Sequence, residues 1–187
     1  KILSKLEAWK RDERHKPLIL RGARQVGKTT VVNEFGSQFD NYLYFNLEMN
    51  ESVRLFEMDI PLNDLVNMLF ASLGKSQREG STLIFIDEIQ NSPKTIALLR
   101  YFYEQRPDLY VIAAGSLLEN LVDVNVSFPV GRVMYMALRP CSFYEFLGAI
   151  GKTNLLAVLS QKPEYTVVFH EQLMHHFNQY TIIGGMP

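Results

Sequence analysis

The stretch Gly22-Ala23-Arg24-Gln25-Val26-Gly27-Lys28-Thr29 decides how the rest of the sequence is read. It matches the pattern G-x-x-x-x-G-K-[ST], a loop that binds phosphate. Its flanks suit that reading. Residues 17–21 are a short apolar run, expected as a strand that stops at Gly22, and residues 28–39 place Val31, Val32, Phe35 and Phe39 at helical spacing. Glycines in such a loop let backbone N–H groups wrap an anion, and the helix N-terminus adds the positive end of its dipole. The residues expected around the phosphates are Gly22, Ala23, Arg24, Gln25, Val26, Gly27, Lys28, Thr29 and Thr30. Lys28 is expected to reach the β- and γ-phosphates of a nucleotide, and the Thr29 hydroxyl to ligate Mg²⁺. An ordinary glycine turn between strand and helix is the competing reading, and the flanking pattern disfavours it.

Downstream, Leu83-Ile84-Phe85-Ile86-Asp87-Glu88 is an apolar strand ending in two acids. In an open α/β sheet, ligands bind at the carboxyl edge of the strands, where this pair falls. Asp87 is the expected Mg²⁺-holding residue, through water. Glu88 is the expected residue to orient or deprotonate an attacking water. Two surface acids at a strand end would look the same in isolation; the phosphate loop upstream favours the functional reading. A guanine-reading Asn-Lys-x-Asp sequence does not occur. A catalytic Glu beside Asp87 favours ATP hydrolysis over phosphoryl transfer to a small molecule, where the substrate itself supplies the acceptor.

The remaining chain alternates strands and helices. Further strands are expected at residues 42–47, 82–86, 109–114 and 132–138, and helices at 2–11, 62–73 and 93–105, the last capped by Ser92 with Pro93 in its first turn. Strands apolar on both faces belong to parallel sheets covered by helices. The expected fold is therefore α/β, a three-layer sandwich around a parallel sheet. After Pro140 the pattern turns helical. Ser142 and Glu145 form a capping box, a short helix follows Thr153, and another is expected over residues 163–180. The expected organisation is an N-terminal helix (1–16), a nucleotide-binding core (17–139) and the start of a helical module (140–187).

The 187 residues carry a net charge of −1, with 47% hydrophobic and 21% charged residues. Those values exclude a disordered tail and a collagen-like repeat. They also give no global basic pull toward nucleic acid, so a DNA partner would need a local patch. The lone Cys141 cannot close an internal disulfide and is expected as a small buried residue in a reducing, cytoplasmic setting. No apolar run approaches the ~18 to 20 residues of a membrane span, and none resembles a signal peptide. The missing initiator Met and the ending Gly184-Gly185-Met186-Pro187 lead us to expect a piece of a longer protein.

Other polar residues are candidates for the same site. Ser116 ends the fourth strand, which in this architecture lies between the first and third; it would position water or sense the γ-phosphate, and it equally suits the cap of a helix starting near Leu117. Asn46 could hold Glu88 away from water, or simply partner the nearby Glu48. Arg132, ahead of Arg100 and Arg139, is the candidate to stabilise transferring charge, in its own chain or in a neighbouring copy; a salt-bridged surface arginine is the alternative. His170, Glu171, His175 and His176 only resemble a metal motif. On a helix His170 and His175 point roughly 140° apart, so exposed helix residues are the better reading.

The order of Arg21 to Thr29, Glu48, Asp87-Glu88-Ile89-Gln90, Gly115-Ser116, Gly131-Arg132 and Pro140-Cys141-Ser142-Phe143-Tyr144-Glu145-Phe146 resembles a bacterial and archaeal group of AAA-type ATPases. In that group a helical or winged-helix segment follows the P-loop NTPase domain, and then a C-terminal domain thought to resemble restriction endonucleases. The resemblance implies a five-stranded parallel sheet of order 5-1-4-3-2. It also implies ATP and Mg²⁺ as ligands and nucleotide state coupled to a C-terminal effector. Cys141 departs from it, standing where the group has an apolar residue. A homo-oligomer, and a DNA or protein partner met through the C-terminal part, are further expectations. A nucleotide-gated binding module with little hydrolysis, or less readily a small-molecule kinase, is the alternative.

Overall fold

The computed structural model describes residues 2–116, 129–159 and 167–186. Within them the elements are α1 (Ile2–Arg11), β1 (Leu18–Arg21), α2 (Lys28–Gly36), β2 (Asn41–Asn46), α3 (Asn50–Phe56), α4 (Leu62–Ser72), β3 (Thr82–Asp87), a 3₁₀ turn (Ile89–Asn91), α5 (Pro93–Gln105), β4 (Leu109–Gly115) and β5 (Met134–Ala137). The helices α6 (Phe143–Ala149), α7 (Thr153–Leu159) and α8 (His170–Ile183) follow. The chain divides into two compact units, Lys1–Leu138 and Arg139–Pro187.

All strand pairs of the first unit are parallel, in the order β2-β3-β4-β1-β5. This is the expected 5-1-4-3-2 order read from the other edge. Parallel neighbours need a crossover each, and the helices that provide it cover both faces. On one face Ile19, Ile84, Ile86, Val111 and Ala113 pack under α3, α4 and α5, which bury Phe56, Leu65, Leu69, Ile96, Leu99 and Phe102. On the other, Leu18, Leu20, Leu83, Phe85, Ile112 and Ala114 pack under α1 and α2 through Leu6, Trp9, Val32 and Phe35. Alternate residues of one strand thus feed two cores, which is why β3 is buried at all six positions. Truncating one of the fully buried rings, such as Phe85 or Phe102, would cost ~3–5 kcal/mol. The N-terminal helix is part of this packing: Trp9 lies edge-on to Tyr110 of β4 and donates its indole N–H to Lys16 O at 2.9 Å.

Several boundaries differ from the sequence reading. The helix of residues 28–39 stops at Gly36, where the chain tightens into i→i+3 turns: Ser37 N donates to Glu34 O at 3.3 Å, Gln38 N to Phe35 O at 3.1 Å and Phe39 N to Gly36 O at 3.1 Å. The strand of residues 132–138 pairs only over Met134–Ala137. The helix α3 is unforeseen; of its seven residues only Phe56 is buried, so it has no apolar stripe to read. A helix beginning near Leu117, and the first turns of the one expected over 163–180, lie outside the described residues.

The second unit is helical. The Ser142 hydroxyl accepts from Glu145 N at 3.3 Å, and the Glu145 carboxylate accepts from Ser142 N at 2.9 Å, closing the capping box that starts α6. Leu147, Leu155 and Leu173 form its small core. Cys141 is half-buried rather than buried. Its peptide is the anchored part: Cys141 N donates to Gly185 O at 2.6 Å, and Tyr180 Oη donates to Cys141 O at 2.7 Å.

Candidate functional site

The loop between β1 and α2 is held in a shape that points its backbone inward. Gln25 and Gly27 both have left-handed backbone, at φ 60° and 91°, and such alternation makes a concave run of N–H groups. Val26, 5% exposed, anchors the loop into the protein beneath. Gly22 passes so close to β5 that a Cβ would lie 2.4 Å from Leu138 O. Gly27 caps α2 without a side chain, so the first N–H groups of this nine-residue helix have no capping oxygen. A phosphate is the natural acceptor for such groups.

Lys28, 6% exposed, folds back over the loop and donates from Nζ to Gly22 O at 2.9 Å and to Ala23 O at 2.8 Å. Thr29 Oγ1 donates to Asp87 Oδ2 at 2.6 Å, joining the loop to the end of β3. Asp87 is 3% exposed. Burial pushes its carboxyl above the usual carboxylate range, against the hydrogen bonds from Thr29 and from Glu88 N, which favour the anion. A buried carboxylate whose charge is under-compensated suits a site for a divalent cation, and Thr29 and Asp87 are the oxygen donors that would hold it. Arg24 and Gln25 in the loop and Thr30 in α2 are exposed.

Glu88 follows Asp87 with left-handed backbone, φ 52° and ψ 45°. Its carboxylate accepts from the Nε2 of Gln90, and its N–H donates to Asp87 Oδ1 at 3.0 Å. Asn46 does not hold it: Asn46 Oδ1 accepts from Glu48 N at 2.8 Å. Ser116 stands at the end of β4, one residue past Gly115, which is in register with Arg21. Its buried Oγ has no hydrogen-bond partner among the described residues.

Arg132 is the site candidate that the structure does not bring in. It precedes β5, whose carboxyl end at Ala137 is level with Arg21, so roughly 16 Å of parallel strand separates it from the phosphate-loop edge. There it donates from Nε to Glu104 Oε1 at 2.8 Å, and Arg100 donates to the same oxygen at 2.9 Å. These bonds, Arg132's first, hold the Glu104 carboxyl below its usual range. Arg139 is exposed. On α8, His176 Nδ1 lies 2.9 Å from Gln179 Oε1, and among the described residues no cluster of three or more His, Cys, Asp or Glu could hold a metal ion.

Two residues at the site were not assigned a role from sequence. The Tyr44 hydroxyl is pushed up first by burial and then by the charge of the Asp87 carboxylate. Its signal was strand alternation: it shares a face of β2 with Asn46, which is level with Asp87. Gln90 stood in the quoted Asp87-Glu88-Ile89-Gln90 run.

A family model described as an AAA domain matches residues 14–147. The chain belongs to the AAA domain family. This AAA domain is also similar in fold to the Walker-type ATPase Paby2304 of Pyrococcus abyssi, at TM-score 0.55 and 18% identity, over 99% of this chain and 63% of that one. It therefore spans less than two thirds of that protein's length. The Orc1 protein of Aeropyrum pernix in complex with DNA matches at TM-score 0.49 and 15% identity, over 81% of this chain and 47% of that one. PCH-2 of C. elegans matches at 0.46 and 12%, over 84% and 47%. No curated protein matches the sequence. The family and the sheet order make this an AAA-type P-loop ATPase domain, of a nucleotide-binding class. No helix among the described residues is long and apolar enough to cross a membrane.

Proposed function

We propose that this domain binds ATP with Mg²⁺ at the Gly22–Thr30 loop and hydrolyses the γ-phosphate by attack of water. The observation that carries the reading is the Thr29–Asp87 hydrogen bond beside Lys28, which gathers one cationic and two oxygen-donor side chains around the left-handed loop. Lys28 exchanges its two loop carbonyls for phosphate oxygens. Thr29 and Asp87 would hold the cation, Asp87 through water, and a magnesium ion there would neutralise charge on the phosphates. Glu88 accepts a hydrogen bond from the attacking water and takes its proton. Ser116, whose buried hydroxyl has no partner among the described residues, orients that water or the γ-phosphate.

Arg132, at the far edge of the sheet, would serve only a neighbouring copy, so a role for it requires a homo-oligomer. Coupling to a C-terminal effector, and a DNA or protein partner met there, belong to this reading through the resemblance in sequence to AAA-type ATPases in which a further domain follows. The test is phosphate release from Mg-ATP without added acceptor. Hydrolysis lost in Glu88→Gln, with ATP still bound, is the expected result. Turnover that survives the change would remove Glu88 from the mechanism, and turnover only with an acceptor would favour a kinase.

A further inference from the structure

Glu88 can serve water only if its carboxylate is held in one place, and the turn that carries it is built to do so. Ile89 is fully buried in the core under α5. Asn91 N donates to Glu88 O at 3.1 Å, Ser92 N to Ile89 O at 3.1 Å, and Asn91 Nδ2 to Leu47 O at 3.3 Å, tying the turn to the end of β2. Residue 88 sits in left-handed backbone at the centre of these bonds. Such a conformation in a non-glycine residue persists only where the surroundings over-determine it, and it concentrates at functional sites.

From this pinned turn Gln90 reaches back two residues and donates from Nε2 to Glu88 Oε2. The orientation of the carboxamide follows from the chemistry: only its NH₂ group can donate to a carboxylate. The choice leaves Gln90 Oε1 buried with no partner among the described residues. A glutamine kept for the stability of the turn would be satisfied at both ends. This one is satisfied only at Glu88.

We infer that Gln90 is the positioning residue of the hydrolytic site: it clamps Oε2 of Glu88 and so fixes the carboxylate that serves the attacking water. The inference rests on the hydrolytic role given to Glu88. Asn46, which the sequence offered to hold Glu88 away from the water, makes no hydrogen bond to it among the described residues; its Oδ1 accepts from Glu48 N.

The experiment compares the full chain with Gln90→Ala and Gln90→Asn, by steady-state hydrolysis of Mg-ATP, by ATP affinity and by melting temperature. A carboxylate freed to rotate loses about ten- to a hundredfold in kcat, the scale of a misplacement of about 1 Å. The KM and the affinity for ATP stay at wild-type values, because no phosphate-loop residue is touched. Gln90→Asn, too short to reach, behaves as Gln90→Ala. An unchanged kcat in Gln90→Ala overturns the inference, and so does a loss of kcat that comes only with weaker ATP binding or a lower melting temperature. In Glu88→Gln, adding Gln90→Ala lowers the residual single-turnover rate no further; an additive loss also overturns it. A wild-type chain without turnover would instead strike the hydrolytic reading itself.

Discussion

Replacing Gly22 by alanine should damage the fold and the site through one contact. The added Cβ would lie 2.4 Å from Leu138 O and 3.0 Å from Val26 Cγ1, where ordinary contact begins at 3.4 Å. The first neighbour is backbone and cannot rotate away, so about 1 Å of separation must be found. One route moves the Leu138 peptide off β1, where Leu138 N donates to Arg21 O at 2.7 Å. The other lifts the loop, and with it Gly22 O, one of the two acceptors that hold Lys28. Overpacking of this kind costs ~1–3 kcal/mol. At ~2–4 °C per kcal/mol for a chain of this size, the melting temperature falls by about 2–12 °C. A loop displaced by about 1 Å loses up to ~100-fold in turnover. Thermal melts with and without Mg-ATP read both effects: the variant melts lower and gains less from nucleotide. A variant with wild-type melting and wild-type nucleotide stabilisation would refute the close approach of Gly22 to Leu138 and its place in the site.

Other changes separate the parts of the site. Asp87 has a raised carboxyl in the fold, so the native state holds a proton more tightly than the unfolded chain. Its contribution to stability is full below the unfolded value of ~3.9 and is lost as pH rises through the folded value. Asp87→Asn should flatten that part of a pH–melting curve, melt higher than wild type at neutral pH without nucleotide, and gain nothing from Mg²⁺ with ATP; a curve parallel to wild type would refute the under-compensated charge. Arg132→Ala should leave ATP affinity at wild-type level in a dilute equilibrium titration, since Arg132 sits at the opposite sheet edge; a lower affinity there would contradict that placement.

How much was legible follows from where the physics is local. The Gly22–Thr29 loop and the Asp87-Glu88 strand end carry their chemistry in adjacent residues, and the double-faced apolar strands 82–86 and 109–114 reveal a covered parallel sheet. The helix α3 carries one buried residue in seven and showed no period. Arg132 stands away from the phosphate loop of its own chain for a reason available in advance. A residue that opens a parallel strand stands at the amino edge of the sheet, away from phosphate loops at the carboxyl edge. Glu104, near the end of α5, meets it there because that helix runs back from the carboxyl edge. Gln90 and Tyr44 depended on side-chain reach across a turn and between strands, which spacing alone does not encode. Cys141 was read from residue type, while its neighbourhood is set by the returning chain at Gly185.

The most direct test of the account is a calorimetric titration of Mg-ATP into the wild-type chain and into Lys28→Ala. Lys28 Nζ is the one cationic group folded over the loop among the described residues of the site, and charged hydrogen bonds are worth ~1.5–3 kcal/mol. The account predicts saturable, one-to-one binding to wild type and affinity weakened by about a hundredfold in the variant. Equal affinity in the two proteins would contradict it.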